Sequence, residues 1–173
     1  MIRKATIDDI DAIENIYNKI HTNEEKGLVT IGWIRDVYPT RQVAIDALNN
    51  NELFVLEDNN QVVASAKINQ VQVPEYKNAS WEHNDGNDKV MVLHTLVVDP
   101  DKSGNGYGKE FVKFYEQYSL QHNCPCLRMD TNKNNTIARA LYKKLGYKEV
   151  GVVPCDFNGI KNIGLVCLEK YLG

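Results

Sequence analysis

Three glycines spaced two apart and a histidine ten residues before the first of them are the features of this chain best suited to chemistry. The glycines lie in Leu96-Val97-Val98-Asp99-Pro100-Asp101-Lys102-Ser103-Gly104-Asn105-Gly106-Tyr107-Gly108-Lys109, an apolar run followed by a proline, a glycine loop and an amphipathic segment. A strand, loop and helix in that order turn several free backbone N–H groups toward one point at a helix N-terminus. With the positive end of the helix dipole behind them, those amides form a site for phosphate. Glycine lets the backbone approach the ligand and adopt positive φ. His94 stands on the preceding strand, where alternation places Val92, His94, Leu96 and Val98 on one face. An imidazole with an ordinary pKa near ~6.5 accepts a proton at neutral pH. Other phosphate loops fit less well. The glycines do not satisfy G-x-G-x-x-G, although Asp130 ends a strand about twenty residues later, as a ribose-binding acid would. Glu110 follows Lys109 where a Walker loop needs Ser or Thr.

Periodicity gives the elements that must hold these residues. Ile2 to Thr6 reads as a short strand, and Thr6 with Asp9 has capping-box spacing for a helix whose apolar face is Ile10, Ile13, Ile16, Tyr17 and Ile20. A second helix is expected from Thr40 through Leu48. Strands follow at Leu53 to Glu57 and Gln61 to Val71, joined by Asp58-Asn59-Asn60. Residues 74–88 read as a polar, irregular, mobile loop. Lys89 to Val98 is a strand, Tyr107 to His122 a helix, and Leu127 to Thr131 a strand. Ile137 to Leu145 is a helix ending at Gly146, and the last strands are expected near Lys148 to Val153 and Ile163 to Leu168. The order β-α-α-β-β-β-α-β-α-β-β is that of an α/β domain with a mixed central sheet of about seven strands flanked by about four helices.

Composition narrows the function. A chain of 173 residues with 43% hydrophobic content fits one domain over residues 1–173. No apolar run reaches the roughly 20 residues that span a bilayer, and the start has no signal-peptide core, so a cytoplasmic protein without a membrane partner is expected. Cys124-Pro125-Cys126 has the wrong spacing for a redox or zinc motif, and no metal site is expected. Residues 101–148 hold nine Lys/Arg against four Asp/Glu, a net of +5, which leaves −8 for the rest of a chain whose total is −3. Basic charge around the glycine loop suits a polyphosphate ligand; the acidic remainder suits a cationic amine and argues against nucleic acid.

Two segments together resemble the GNAT superfamily of acyl-CoA N-acyltransferases. Val98, Pro100, Gly104, Gly106 and Gly108 match its V-x-P and glycine signature, with Ser103 standing where Gln or Arg is usual. Asn135-Thr136-Ile137-Ala138-Arg139-Ala140-Leu141-Tyr142-Lys143-Lys144-Leu145-Gly146-Tyr147 matches the family's N-x-x-A-x-x-x-Y-x-x-x-G-[FY] helix. The resemblance implies acetyl-CoA as co-substrate and a primary amine, of a small molecule or a peptide, as acceptor. It also implies direct attack in a ternary complex, and a homodimer would be in keeping with the family. The pantetheine arm would pair with the backbone of Leu96, Val97 and Val98, and the pyrophosphate would rest on the amides of Ser103, Gly104, Asn105, Gly106, Tyr107, Gly108 and Lys109. Asn135 would lie beside the cofactor and cap its helix. An oxyanion donor is expected near Leu96, roughly 7 Å from His94. Tyr142 would assist the departing thiolate; spacing alone would place it in the core. Leu93-His94-Thr95-Leu96-Val97-Val98 is also similar to the strand of arylalkylamine N-acetyltransferases whose histidine takes part in proton removal. Glu82 and His83 are weaker candidates for the base. Trp33 and Tyr38 fall where the family builds its acceptor wall, although core packing is their plainer use. Two rivals remain, a non-catalytic acyl-CoA sensor of the same fold and a nucleotide-binding domain of another class.

Overall fold

Ile10, Ile13, Ile16, Tyr17 and Ile20 recur at helical spacing, and burying that stripe is what makes α1 (Ile10–Glu25). In the computed structural model, which describes residues 1–173, the stripe packs on α2 (Arg41–Asn49) through Ala44 and Ala47. The Thr6–Asp9 capping box forms, with the Thr6 amide 2.7 Å from Asp9 Oδ2, but it opens a single 3-10 turn before α1. Asp9 is also held by Arg3 at 2.8 Å and 2.9 Å, which fixes this turn to the first strand.

Seven strands follow the expected order: β1 (Ile2–Lys4), β2 (Leu53–Asp58), β3 (Gln61–Asn69), β4 (Val90–Val98), β5 (Cys126–Asn132), β6 (Lys148–Phe157) and β7 (Ile160–Tyr171). Asn59 and Asn60 both take positive φ, which suits the two-residue turn between β2 and β3. The last two strands are longer than their apolar runs because each completes a ladder with the other. The sheet order is β1-β2-β3-β4-β5-β7-β6, with β4 and β5 parallel and every other pair antiparallel. Helices α3 (Tyr107–Gln121) and α4 (Thr136–Lys144) complete the fold.

One face of the sheet packs Phe54, Leu56, Ala66, Met91, Leu93 and Met129 against Phe111 and Tyr115 of α3 and Tyr142 of α4. On the other face α1 and α2 cover β2 and the end of β4, and Tyr76 covers Val90, Val92 and Cys126. Residues 74–88 are therefore irregular only in part, over 79–86. Pro74–Asn78 forms a 3-10 turn that drives Tyr76 into the core at 1% exposure. One aromatic among polar neighbours carries no periodicity, so the sequence hides it. Arg128 of β5 pins the segment, donating to the His83 carbonyl at 2.7 Å and to Asn84 Oδ1 at 3.1 Å with its guanidinium over Trp81.

Two irregularities in β4 interrupt the regular sheet. Pairing with β5 runs from Val90↔Cys126 to Leu93↔Met129 and then stops, so the strands part from His94 onward. On the β3 side Lys67 pairs with His94 but Ser65 pairs with Val97, which leaves one residue too many in β4. Thr95 carries the bulge at φ +51. An inserted residue reverses every side chain beyond it. Val92 and His94 thus face the Tyr76 side, whereas Leu96 and Val98 pack with the α3 core. The expectation of Val92, His94, Leu96 and Val98 on one face is corrected accordingly.

The Tyr115 hydroxyl reaches the carbonyls of Met91 (2.6 Å) and Arg128 (3.2 Å), tying β4 to β5 just before they part. Tyr115→Phe should cost about 1 kcal/mol in denaturant unfolding, the net value of one such bond. A variant as stable as the parent would show that the clamp contributes nothing.

Candidate active site

Where β4 and β5 diverge, a cleft of about 600 Å³ opens through the sheet. It is lined from one face by Leu96, Val98, Ser103, Asn135 and Tyr142, and from the other by His94, Asp130, Trp33 and Tyr38. Backbone groups of β4 that would have met β5 beyond Leu93 are left without a strand partner, and a buried amide of that kind seeks a ligand. Val97 also lines the cleft, but its side chain is buried toward α1 and α2.

Ser103 continues into the glycine turn and α3 at the edge of the cleft. Gly104 and Gly106 take φ +84 and +81, and a Cβ built on either meets nothing within 4 Å. No side chain caps the first turn of α3, so the amides of Tyr107, Gly108 and Lys109 remain available at a helix N-terminus beside open space. Gly108 differs. Its φ is ordinary, and a Cβ there would meet Leu141 of α4 at 3.4 Å, an ordinary contact, so neither a turn nor packing requires glycine at this position. The Tyr107 hydroxyl donates to Asp58 at 2.8 Å, and Asn105 Nδ2 of the side chain donates to the Lys102 carbonyl at 2.9 Å. Lys19 joins Asp99 and Asp101 at 2.9 Å and 2.7 Å, which secures the turn's entry. The basic excess is only partly here. Lys102 and Lys109 form no ion pair, but Arg139 and Lys148 bind Glu149 and Glu82, and Arg128 is buried on the far face.

Asn135 caps α4, its Oδ1 accepting from the Ala138 amide at 3.3 Å. Tyr142, farther along the same helix, has no protein partner for its hydroxyl. Burial, and then the charge of Asp130, push its pKa well above the ordinary tyrosine value. Such a phenol keeps its proton and can offer it as a hydrogen bond.

On the opposite side His94 Nε2 lies 2.8 Å from Asn69 Oδ1. That oxygen also accepts from the Val71 amide at 3.0 Å, while Asn69 Nδ2 donates to Glu52 at 3.0 Å. The amide's orientation is thereby fixed, so Nε2 must carry the hydrogen and Nδ1 the lone pair. Burial, aided by the Lys67 charge and opposed by the Val71 backbone, lowers the His94 pKa to about 4. The expectation of an ordinary imidazole is corrected: His94 is neutral at pH 7 but a poor base.

Asp130, which the two family motifs do not include, has a pKa better matched to accepting a proton. It lies on β5 just past the last rung with β4, on the same face as His94, and accepts from the Tyr76 hydroxyl at 2.7 Å. Burial raises its pKa to about 6, with Tyr76 opposing and Glu75 adding to the rise. A carboxylate near that value takes a proton efficiently at neutral pH. The signal in the sequence is an acid near the end of the strand parallel to β4, a pattern that equally suits a ribose ligand. Glu82 and His83 fall outside the cleft: Glu82 pairs with Lys148, and His83 stacks on Tyr171 at 4.2 Å. Trp33 and Tyr38 are half-buried in its wall, their rings edge-on at 5.9 Å.

The sequence profile of the acetyltransferase (GNAT) family matches residues 10–147. The chain belongs to that family. It is 23% identical over 150 residues to the uncharacterized N-acetyltransferase YhfO of Bacillus subtilis, covering 86% of this chain and 89% of that one. Among solved structures, a GNAT-family acetyltransferase of Streptococcus agalactiae superposes with a TM-score of 0.82 at 23% identity, covering 99% of this chain and 94% of that one. YncA of Salmonella typhimurium, a putative acetyltransferase solved with acetyl-CoA, gives 0.72 at 17% identity over 100% and 94%. The ribosomal-protein-alanine N-acetyltransferase of Brucella melitensis gives 0.73 at 20% over 99% of each chain. The GNAT fold thus extends over the whole chain, including the stretches that carry no motif. No helix is long and apolar enough to cross a membrane.

Proposed function

We propose that this GNAT protein transfers an acetyl group from acetyl-CoA to a primary amine by direct attack in a ternary complex, as one domain acting in the cytoplasm. The observation that carries this reading is the cleft through the sheet. Unpaired backbone and α3 amides lie on one side of it and two proton acceptors on the other. Acetyl-CoA fits the donor side by the chemistry present there: the amides of Tyr107 to Lys109 suit its diphosphate and the freed β4 backbone suits its amide arm, whereas the Ser103 amide, expected among the donors, is taken up by the Pro100 carbonyl at 3.2 Å. An amide at the bulge, next to Leu96, would receive the charge that develops on the thioester oxygen. Asp130 takes the amine's proton, His94 orients the amine through its Nδ1 lone pair, and Tyr142 hydrogen-bonds the departing sulfur.

Direct transfer is supported by the thiols. None of the four cysteines lines the cleft, and burial raises the pKa of each, which makes a poor nucleophile. The acceptor wall combines Trp33, Val71, Val73 and Phe157 with the Asp130 carboxylate, which favours an amine carrying an apolar body. The test is release of free CoA from acetyl-CoA over a panel of amines, read beside thermal stabilisation by acetyl-CoA. Turnover with at least one amine, reduced ~10-fold in Tyr142→Phe, is expected. Stabilisation without turnover on any amine or N-terminal peptide would make the protein a sensor of acyl-CoA.

A further inference from the structure

Eight residues other than glycine take positive φ, and seven of them are Asn or Asp, the types that tolerate this conformation best. Thr95 is the eighth. A β-branched residue there is disfavoured by the contact of its Cβ with its own backbone, so neighbouring structure must hold it in place. The neighbour is Tyr38, whose hydroxyl is hydrogen-bonded to Thr95 Oγ1.

Tyr38 is well placed to act as a fixed point. It ends a segment anchored along its length. The Ile31 and Gly32 amides both donate to the Glu24 carboxylate at 2.9 Å, Thr30 Oγ1 donates to the Asn134 carbonyl at 2.8 Å, and Arg35 pairs with Glu25 at 2.7 Å. The same segment carries Trp33 into the acceptor wall, edge-on to the Tyr38 ring. Burial keeps the phenol protonated, its pKa pushed up to about 12.

We infer that Tyr38 is a positioning residue: through Thr95 it holds the β4 bulge in the conformation that presents the oxyanion donor, so the acceptor wall and the donor's amide are set by one contact. This rests on the acetyltransferase reading. It assigns Tyr38 a role in catalysis without contact with the reacting atoms, and it explains why threonine stands where a glycine would fit more easily. Loss of the phenol hydroxyl lets the bulge relax toward ordinary φ and turns the following peptide plane.

The test is a cycle of Tyr38→Phe, Thr95→Gly and the double variant in the full chain. Tyr38→Phe should lower kcat by ~10- to 100-fold, the cost of a small misplacement of a catalytic group, with the KM for acetyl-CoA within about 2-fold of the parent. In the Thr95→Gly background the phenol has no bulge left to hold, because glycine adopts this φ unaided, so adding Tyr38→Phe there should change kcat by no more than about 3-fold. A double variant slower than Thr95→Gly by the same factor that separates Tyr38→Phe from the parent would overturn the inference and point to the phenol acting directly. So would a loss that falls on KM alone. Amide hydrogen exchange gives a reading independent of turnover. Residues 94–97 should exchange faster in Tyr38→Phe, and unchanged exchange would also overturn the inference. If the parent acetylates nothing, the acetyltransferase reading fails, and the exchange result still decides whether Tyr38 holds the bulge.

Discussion

Asp130→Asn should lose acetyl transfer by on the order of 10²-fold or more while becoming more stable than the parent. Both effects come from one displaced pKa. In the parent, kcat/KM should rise with pH through a limb near 6 as the Asp130 carboxyl ionises, and the variant should lack that limb. His94, with a pKa near 4, stays neutral from pH 5 upward and gives no limb there. A limb near 4 would move the base to His94. For stability, the folded carboxyl binds its proton more tightly than an unfolded one, whose pKa is ~3.9. The native state is thus favoured most below about pH 4, and that advantage is lost as pH rises through 6. Above pH 7 the ionised group costs on the order of 1–3 kcal/mol, which asparagine removes while still accepting from Tyr76. Melting temperatures of the two proteins should therefore converge near pH 4 and separate at pH 7.5, with the variant higher. A variant that melts lower at pH 7.5 would show that Asp130 is a structural anchor.

The second large effect belongs to Gly106. At φ +81 a valine is strained by ~1–2 kcal/mol, and its side chain would enter the open space in front of the α3 amides. Gly106→Val should abolish the thermal stabilisation that millimolar acetyl-CoA gives the parent, while the far-ultraviolet circular dichroism is retained. Gly27 provides the matching control. It sits at φ +69 with nothing within 4 Å of its Cβ position, just past α1, where its own amide and that of Leu28 are bonded to α1 carbonyls and none is free for a ligand, so Gly27→Val carries comparable strain and should bind normally. Equal loss in both variants would attribute the effect to strain alone. Retained binding in Gly106→Val would remove the glycine turn from the cofactor site.

The elements were legible because their signals are local. Isoleucines three or four apart make α1, Asn59-Asn60 makes the hairpin turn, and Asn135 caps α4. The motif residues Ser103, Asn135 and Tyr142 meet at one cleft because the elements that carry them converge at its edge. What escaped depends on distant partners. The bulge at Thr95 exists only in register with β3, and nothing in Leu93-His94-Thr95-Leu96 announces the extra residue. The fall in the His94 pKa comes from burial and from Lys67, which β3 brings alongside. Asp130 owes its pKa to burial, with Tyr76 and Glu75, both far away in sequence, adjusting the value. Three glycines that looked alike also divided: two turn the chain at positive φ, and the third sits at ordinary φ within α3.

The opening between β4 and β5 separates two sets of selective pressures. On the acetyltransferase reading, substitutions at Trp33, Val73 or Phe157 would retune which nucleophile is admitted without touching the amides that would hold the diphosphate, because the start of α3 carries those amides and none of these three residues. A lineage built on this plan can change its acceptor while keeping one acyl donor, provided each new wall still leaves Thr95 where it is.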